Sequence, residues 1–191
     1  MKTKLSALMF IAAMFLAAAP AFADEYDDTI ALFKSAGESA EFFKKSYGYA
    51  VFPTIGKGGL GVGAAHGDGH VYEQGKMIGR VSMTQLSVGL QAGGQAFSQI
   101  IFFEHKGALD NFTSGEFEFD ATVQAVAIKA SATASAGTQG ASTGAATGGG
   151  KKESTSAGTF RKGMAVFTVA KGGLMYQAAV GGQKFKFKPE K

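Results

Sequence analysis

Hydrophobic positions change period along the chain. Between Asp24 and Tyr47, the residues Ile30, Phe33, Ala40, Phe43 and Tyr47 recur at three- or four-residue steps, with a gap at Gly37. Lys34, Glu38, Glu41 and Lys45 fall mostly on the opposite side. That period predicts an amphipathic helix docked on a core, divided at Gly37, which costs helix stability. After Gly48 the pattern turns to strands. "YAVFPTI" at 49–55 is short, apolar and β-branched, and "SVGLQAGGQAFSQIIFFE" at 87–104 runs through two strand lengths. "EFEFDATVQAVAI" at 116–128 puts Phe117, Phe119, Ala121, Val123 and Ala125 on one face, with Glu116, Glu118, Asp120 and Gln124 on the other. Alternation of this one-sided kind indicates antiparallel sheet with one wet face. Between the last two segments, "HKGALDNFTSG" reads as a short helix or loop ending in a turn.

Two stretches fall outside this patterning. Residues 130–158 are rich in Ala, Ser, Thr and Gly and hold no large apolar side chain, so nothing there offsets the entropy of ordering. The reading is a flexible insertion within one domain, because the strand pattern resumes in "FRKGMAVFTVAKGGLMYQAAVGGQKFKFKP". The other stretch is the start of the chain. Lys2 and Lys4, the apolar "LSALMFIAAMFLAAA" and the small residues of "AFA" before Asp24 have the form of a signal peptide cleaved near Ala23 and Asp24. No cysteine follows to accept lipid, so the expectation is a periplasmic or secreted protein, not a lipoprotein, held together without disulfides. Residues 24–191 then form a single domain of ordinary size.

A repeat runs through the strand region. "AVFPTIGKGGLGVGAAHG" at 50–67 matches "AVFTVAKGGLMYQAAVG" at 165–181 with one residue fewer between AVF and KGGL. A unit occurring twice in a small domain reads as architecture, and Lys-Gly-Gly suits a hairpin turn needing positive φ. The adjoining "HGDGH" at 66–70 likewise reads as a solvated turn, because of Gly67 and Gly69.

Composition narrows the chemistry. The chain has 28 glycines and 17 phenylalanines but no tryptophan, which fits closely packed, twisted β-structure. A formal charge of +4 falls by two when the signal leaves, too little to indicate nucleic acid, and no basic run is interleaved with stacking aromatics. Gly56, Gly58 and Gly61 spell the dinucleotide fingerprint, yet the glycine-rich continuation is a poor helix, and no P-loop ending is present; no nucleotide is expected. His66, Asp68 and His70 are chemically a legitimate metal set, but ligands at i, i+2 and i+4 of one strand converge poorly on one ion. A metal-dependent protein using His66 and His70 is the least favoured reading, and no cofactor is expected. There is no Gly-x-Ser-x-Gly elbow and no cysteine nucleophile, and Glu116 and Glu118 sit on the wet side of a strand, so no catalytic constellation is legible.

Three motifs in order, "YAVFPTIGKGGLGVGAAHGDGHVY", "SVGLQAGGQAFSQIIFF" and "KGGLMYQAAVGGQKFKFKP", resemble the SYLF domain, in particular its short exported bacterial branch. The likeness runs from about Lys44 to Pro189 and spares the insertion. The resemblance implies lipid binding, documented as phosphoinositide recognition in eukaryotic members and accompanied by actin binding in the yeast branch. For an exported bacterial protein only a general capacity for anionic phospholipid carries over. The SH3 and zinc-finger modules of eukaryotic members are not seen in this sequence, so their scaffold roles are not expected of it.

Residues able to touch a lipid headgroup are cationic. "KFKFKPEK" alternates Lys184, Lys186 and Lys188 with Phe185 and Phe187, giving either a cationic stripe or a protected edge strand. Lys57 and Lys171 occupy equivalent repeat positions. Arg80 is a bidentate phosphate donor, with Arg161 and Lys162 as further candidates, and Lys44 and Lys45 end the helical segment. The expectation is therefore a mainly β, curved or barrel-like antiparallel sheet with an N-terminal amphipathic helix. Its expected function is non-catalytic binding of anionic phospholipid or a membrane surface. An envelope structural or protein-interaction module is the alternative.

Overall fold

The structure, a computed structural model, describes residues 21–120, 123, 125–128, 159–172 and 181–190. The insertion at 130–158, most of the signal segment and residues 173–180 of the second repeat copy lie outside them. The chain enters through helices α1 (Ala21–Ser35), α2 (Gly37–Ala40) and α3 (Phe42–Lys45), separated where Ala36 turns extended and again at Glu41. Two long strands follow, β1 (Gly48–Glu73) and β2 (Lys76–Phe103), paired antiparallel from Gly48 opposite Phe103 to Glu73 opposite Lys76. Helix α4 (Lys106–Thr113) and strands β3 (Glu116–Glu118), β4 (Val126–Ile128), β5 (Met164–Gly172) and β6 (Gln183–Pro189) complete the order.

The reversal between β1 and β2 is made by Gln74 (φ 49°) and Gly75 (φ 85°). Positive φ at both central positions is the two-residue turn whose twist matches the flanking strands. This corrects the expected Lys-Gly-Gly turn: Lys57, Gly58 and Gly59 lie inside β1, opposite Gln95, Gly94 and Gly93. Those glycines serve a bend instead. The register slips between Leu60 and Val62, and a Cβ on Gly59 would overlap the Val62 carbonyl oxygen. Past this bulge the hairpin folds back over its own first arm.

The folded-back arm explains "HGDGH". These residues are extended, running from His66 opposite Thr84 to His70 opposite Arg80, so the turn expected there is also corrected. A Cβ on Gly67 would come within 2.7 Å of the Ile55 side chain, and one on Gly69 within 2.7 Å of the Phe52 ring. Glycine is present because the two halves of the bent β1 approach face to face, not because the chain reverses.

Two sheet layers result. The first orders the opening part of β1, the closing part of β2, β5 and β4; the second orders the closing part of β1, the opening part of β2, β6 and β3. The protein is mainly β, but among the described residues the sheet does not close into a barrel: β3 and β4 end the two layers as separate edges. Nor is it purely antiparallel, since β4 runs parallel to β5.

Ala50, Phe52, Ile55, Ile101, Phe103 and Val166 of the first layer meet Ala65, Val71, Val81, Met83 and Phe185 of the second in one buried core. Helix α4 closes its end with Leu109 and Phe112, the latter packed on Phe103 and Phe185. On the opposite face of the first layer, Val51, Ile100, Phe102, Ala165, Phe167 and Val169 pack against Ile30, Phe33 and Phe42 of the helices. Among the described residues the first layer is thus buried on both faces, and the second on its inner face, with its outer face touched by α1 where Tyr26 stacks on His70.

The two AVF segments flank β2 one residue out of step. Ala50 and Val166 share the row of Ile101, and Val51 and Phe167 share that of Ile100. A one-residue offset exchanges faces. Ala50 and Phe52 consequently look between the layers, whereas Ala165 and Phe167 look toward the helices.

Candidate functional site: the outer face of the second layer

Alternation in β6 buries Gln183 and Phe185 and exposes Lys184, Lys186 and Lys188. Sheet register then gathers residues from four strands on one solvent-facing surface. Thr84 lies between His66 and Lys184, Ser82 between Asp68 and Lys186, and Arg80 between His70 and Lys188. Strand β3 adds Glu116 opposite Lys186 and Glu118 opposite Lys184. Four of the eight cations named from the sequence, Arg80, Lys184, Lys186 and Lys188, therefore stand together.

They do not stand alone. Lys184 pairs with Glu118 at 3.5 Å, Lys186 with Glu116 at 3.7 Å and Arg80 with Glu190 at 3.6 Å, all with exposed side chains. Among the described residues Lys188 makes no ion pair. Pairs this exposed contribute about 0 to 1 kcal/mol each and exchange readily with other anions.

The remaining four cations lie elsewhere. Lys57 is in the first layer opposite Gln95. Lys171 stands across β2 from it, at the irregularity beside Ala96 and Phe97, about 10 Å away by strand spacing. Its ammonium group donates to Thr54 Oγ1 at 2.8 Å and to the Glu25 carboxylate at 3.1 Å, and the Thr54 hydroxyl donates to Glu25 at 2.7 Å. The Thr54 and Lys171 hydrogen bonds hold the Glu25 carboxyl below its usual range. Lys171 thus clamps α1 to the sheet. Lys44 pairs with Glu41, and Lys45 is exposed, both on the helix-covered side. Of the further candidates, Lys162 pairs with Asp120, and Arg161 sits beside the tight turn before β5.

The histidines are dispersed in role. His66 is exposed, 3.9 Å from Asp68. His70 stacks on Tyr26 of α1 with centroids 3.7 Å apart and planes 4° from parallel. Burial, and then Arg80, lowers its pKa from the ordinary 6.5. His105 caps α4, its Nδ1 accepting the Ala108 N–H at 3.2 Å. Among the described residues no three His, Asp or Glu side chains gather as a metal set. Gly56, Gly58 and Gly61 lie within β1, without the strand-to-helix passage that a dinucleotide site requires. Among the described residues no helix is long and apolar enough to cross a membrane.

Sequence reasoning missed the end of this surface nearest the bend. Val62 is 63% exposed and Leu86 79%, with exposed Ala64 directly opposite Leu86. Their outward direction follows from register, since Gln85 turns inward to donate to the Gly181 carbonyl at 2.9 Å. Apolar residues in a glycine-rich strand give no local sign of which face they take. A second feature missed is the fully buried pair Gln99 and Gln183, whose carboxamides bond each other reciprocally across the layers at 2.9 and 3.1 Å.

No model of a known protein family matches this chain, and no curated protein does.

Proposed function

We propose that the protein is a non-catalytic binder of anionic phospholipid at a membrane surface, acting through the outer face of the second layer. The observation that carries this reading is the convergence of the exposed Arg80, Lys184, Lys186 and Lys188, from two neighbouring strands, on one sheet face. A phosphate headgroup can replace Glu116, Glu118 or Glu190 as partner to these cations, because the existing pairs are solvated and weak. Each Lys or Arg brought near an anionic leaflet contributes about 1 kcal/mol, so several adjacent ones produce measurable association. The resemblance to SYLF domains and the expected export point to a bacterial envelope lipid as ligand.

The glutamates beside Lys184 and Lys186 favour a second reading, an envelope protein-interaction module with a charge-balanced face. Co-sedimentation with vesicles of phosphatidylcholine containing increasing phosphatidylglycerol separates the two. Lipid binding predicts pelleting that rises with the anionic fraction, falls with salt and is lost when Lys184, Lys186 and Lys188 all become Gln. Pelleting indifferent to lipid charge would leave the protein-interaction reading.

A further inference from the structure

The cationic ladder and the exposed apolar residues share a face but not a position along it. Leu86 lies two residues beyond Thr84 on β2, and Thr84 is opposite Lys184. At about 3.4 Å per residue, Lys184 is about 7 Å from the Leu86 row, Lys186 about 14 Å and Lys188 about 20 Å. Val62, Ala64 and Leu86 form the leading end, beside the bend between the layers. Lys57 reaches the same end from the first layer, three residues before Leu60. Resting on the reading just proposed, we infer that the protein engages an anionic bilayer bend first, with Val62, Ala64 and Leu86 entering the boundary between headgroups and acyl chains and Lys184 at the phosphates.

The dimensions agree with that geometry. Apolar side chains of interfacial segments sink about 5 to 10 Å into the boundary, which places a cation 7 Å behind them at headgroup level. Electrostatic attraction decays over about 8 Å at physiological ionic strength, so Lys184 feels the leaflet strongly and Lys188 weakly. A face-down approach would give Lys184, Lys186 and Lys188 equal weight and leave the solvated glutamates of β3 facing the lipid. The bend-first approach brings only Glu118 near the phosphates, as the partner that a lipid displaces from Lys184.

The chain has no tryptophan, so Leu86→Trp supplies a single reporter. Vesicles of equal phosphatidylglycerol and phosphatidylcholine, with acyl chains brominated near the headgroup, are the probe. The expected result is a blue shift and quenching on binding. In parallel, Leu86→Asp weakens co-sedimentation about tenfold, Lys184→Gln weakens it more than Lys188→Gln, and Glu118→Gln strengthens it. If Leu86→Trp pellets with vesicles but is neither shifted nor quenched, or if Lys184→Gln and Lys188→Gln weaken binding equally, bend-first entry is overturned while lipid binding stands. If the unaltered protein fails to pellet, both readings fall. A blue shift that grows with protein concentration in the absence of vesicles would assign the apolar end to a second copy of the chain and overturn the inference.

Discussion

The two halves of the β1–β2 hairpin are made from the same pair of strands, yet they occupy different environments. The first arm joins a layer covered by helices on one side and by the second layer on the other, and its partner β5, "MAVFTVAKG", runs apolar residues consecutively. The second arm joins a layer with water on one side, and its partner β6, "QKFKFKP", alternates strictly. Burial on two faces demands a continuous apolar run and burial on one demands alternation. The comparison teaches where recognition chemistry can reside: among the described residues the second layer keeps a sheet face open apart from the Tyr26–His70 stack, and it holds the clustered cations and the exposed Val62 and Leu86.

The sharpest way to break this comparison is to remove bulk from each layer. Phe102 is fully buried between β2 and the helices and touches the rings of Phe42, Phe43 and Phe167. Phe102→Ala is expected to cost about 3 to 5 kcal/mol in urea unfolding. Lys186→Ala, on the open face of the second layer, is expected to cost under about 1 kcal/mol. Similar losses from the two would mean that the outer face is covered in solution.

Contact between the arms gives the next effects. Gly69→Ala forces a Cβ to within 2.7 Å of both the Phe52 ring and the Val51 carbonyl oxygen, an overpacking expected to cost about 1 to 3 kcal/mol. Gly56→Ala meets nothing within 4 Å and is expected to change stability by less than about 0.5 kcal/mol. Gln99→Leu strands the Gln183 carboxamide in the core and is expected to cost about 1 to 3 kcal/mol. Adding Gln183→Leu returns part of that loss, because an apolar pair leaves no orphaned carboxamide. The coupling read from a double-mutant cycle would vanish if the two layers did not lie face to face.

These contacts also show what was legible in the chain. Alternation in "KFKFKP" and "EFEFD" marks which side chains of β6 and β3 reach water, and register turns them into a shared surface. The long-range fold of the hairpin was not legible. "GKGGLGVG" has the local chemistry of a turn, and only its pairing with Gln95, Gly94 and Gly93 shows that the strand bends without reversing. The true reversal at "EQGK" depends on Gln74 adopting positive φ, which glutamine advertises less clearly than asparagine. Leu86 was hidden for a related reason: a one-residue choice of register decides whether Gln85 or Leu86 faces the core, and the buried polar contact of Gln85 made that choice.

The smallest effect tests how α1 is tied to the second arm. Tyr26 stacks on His70, while Arg80 opposite and Glu190 beyond it face the imidazole, with Tyr72 nearby on β1. Burial first and Arg80 second lower the His70 pKa, so as acid is added the unfolded chain takes up this proton before the folded one does. The stabilising contribution is therefore complete above pH 6.5 and is lost progressively below it, toward the folded-state value. His70→Phe keeps a flat ring against Tyr26 and removes the titration. Urea midpoints measured from pH 8 to 5 are expected to decline less for this variant than for the unaltered protein. Because exposed His66 and the α4 cap His105 remain in both proteins, the difference between the curves isolates His70. Parallel curves would mean that α1 does not hold His70 away from water, and that the second arm meets the helices less closely than the stacked rings imply.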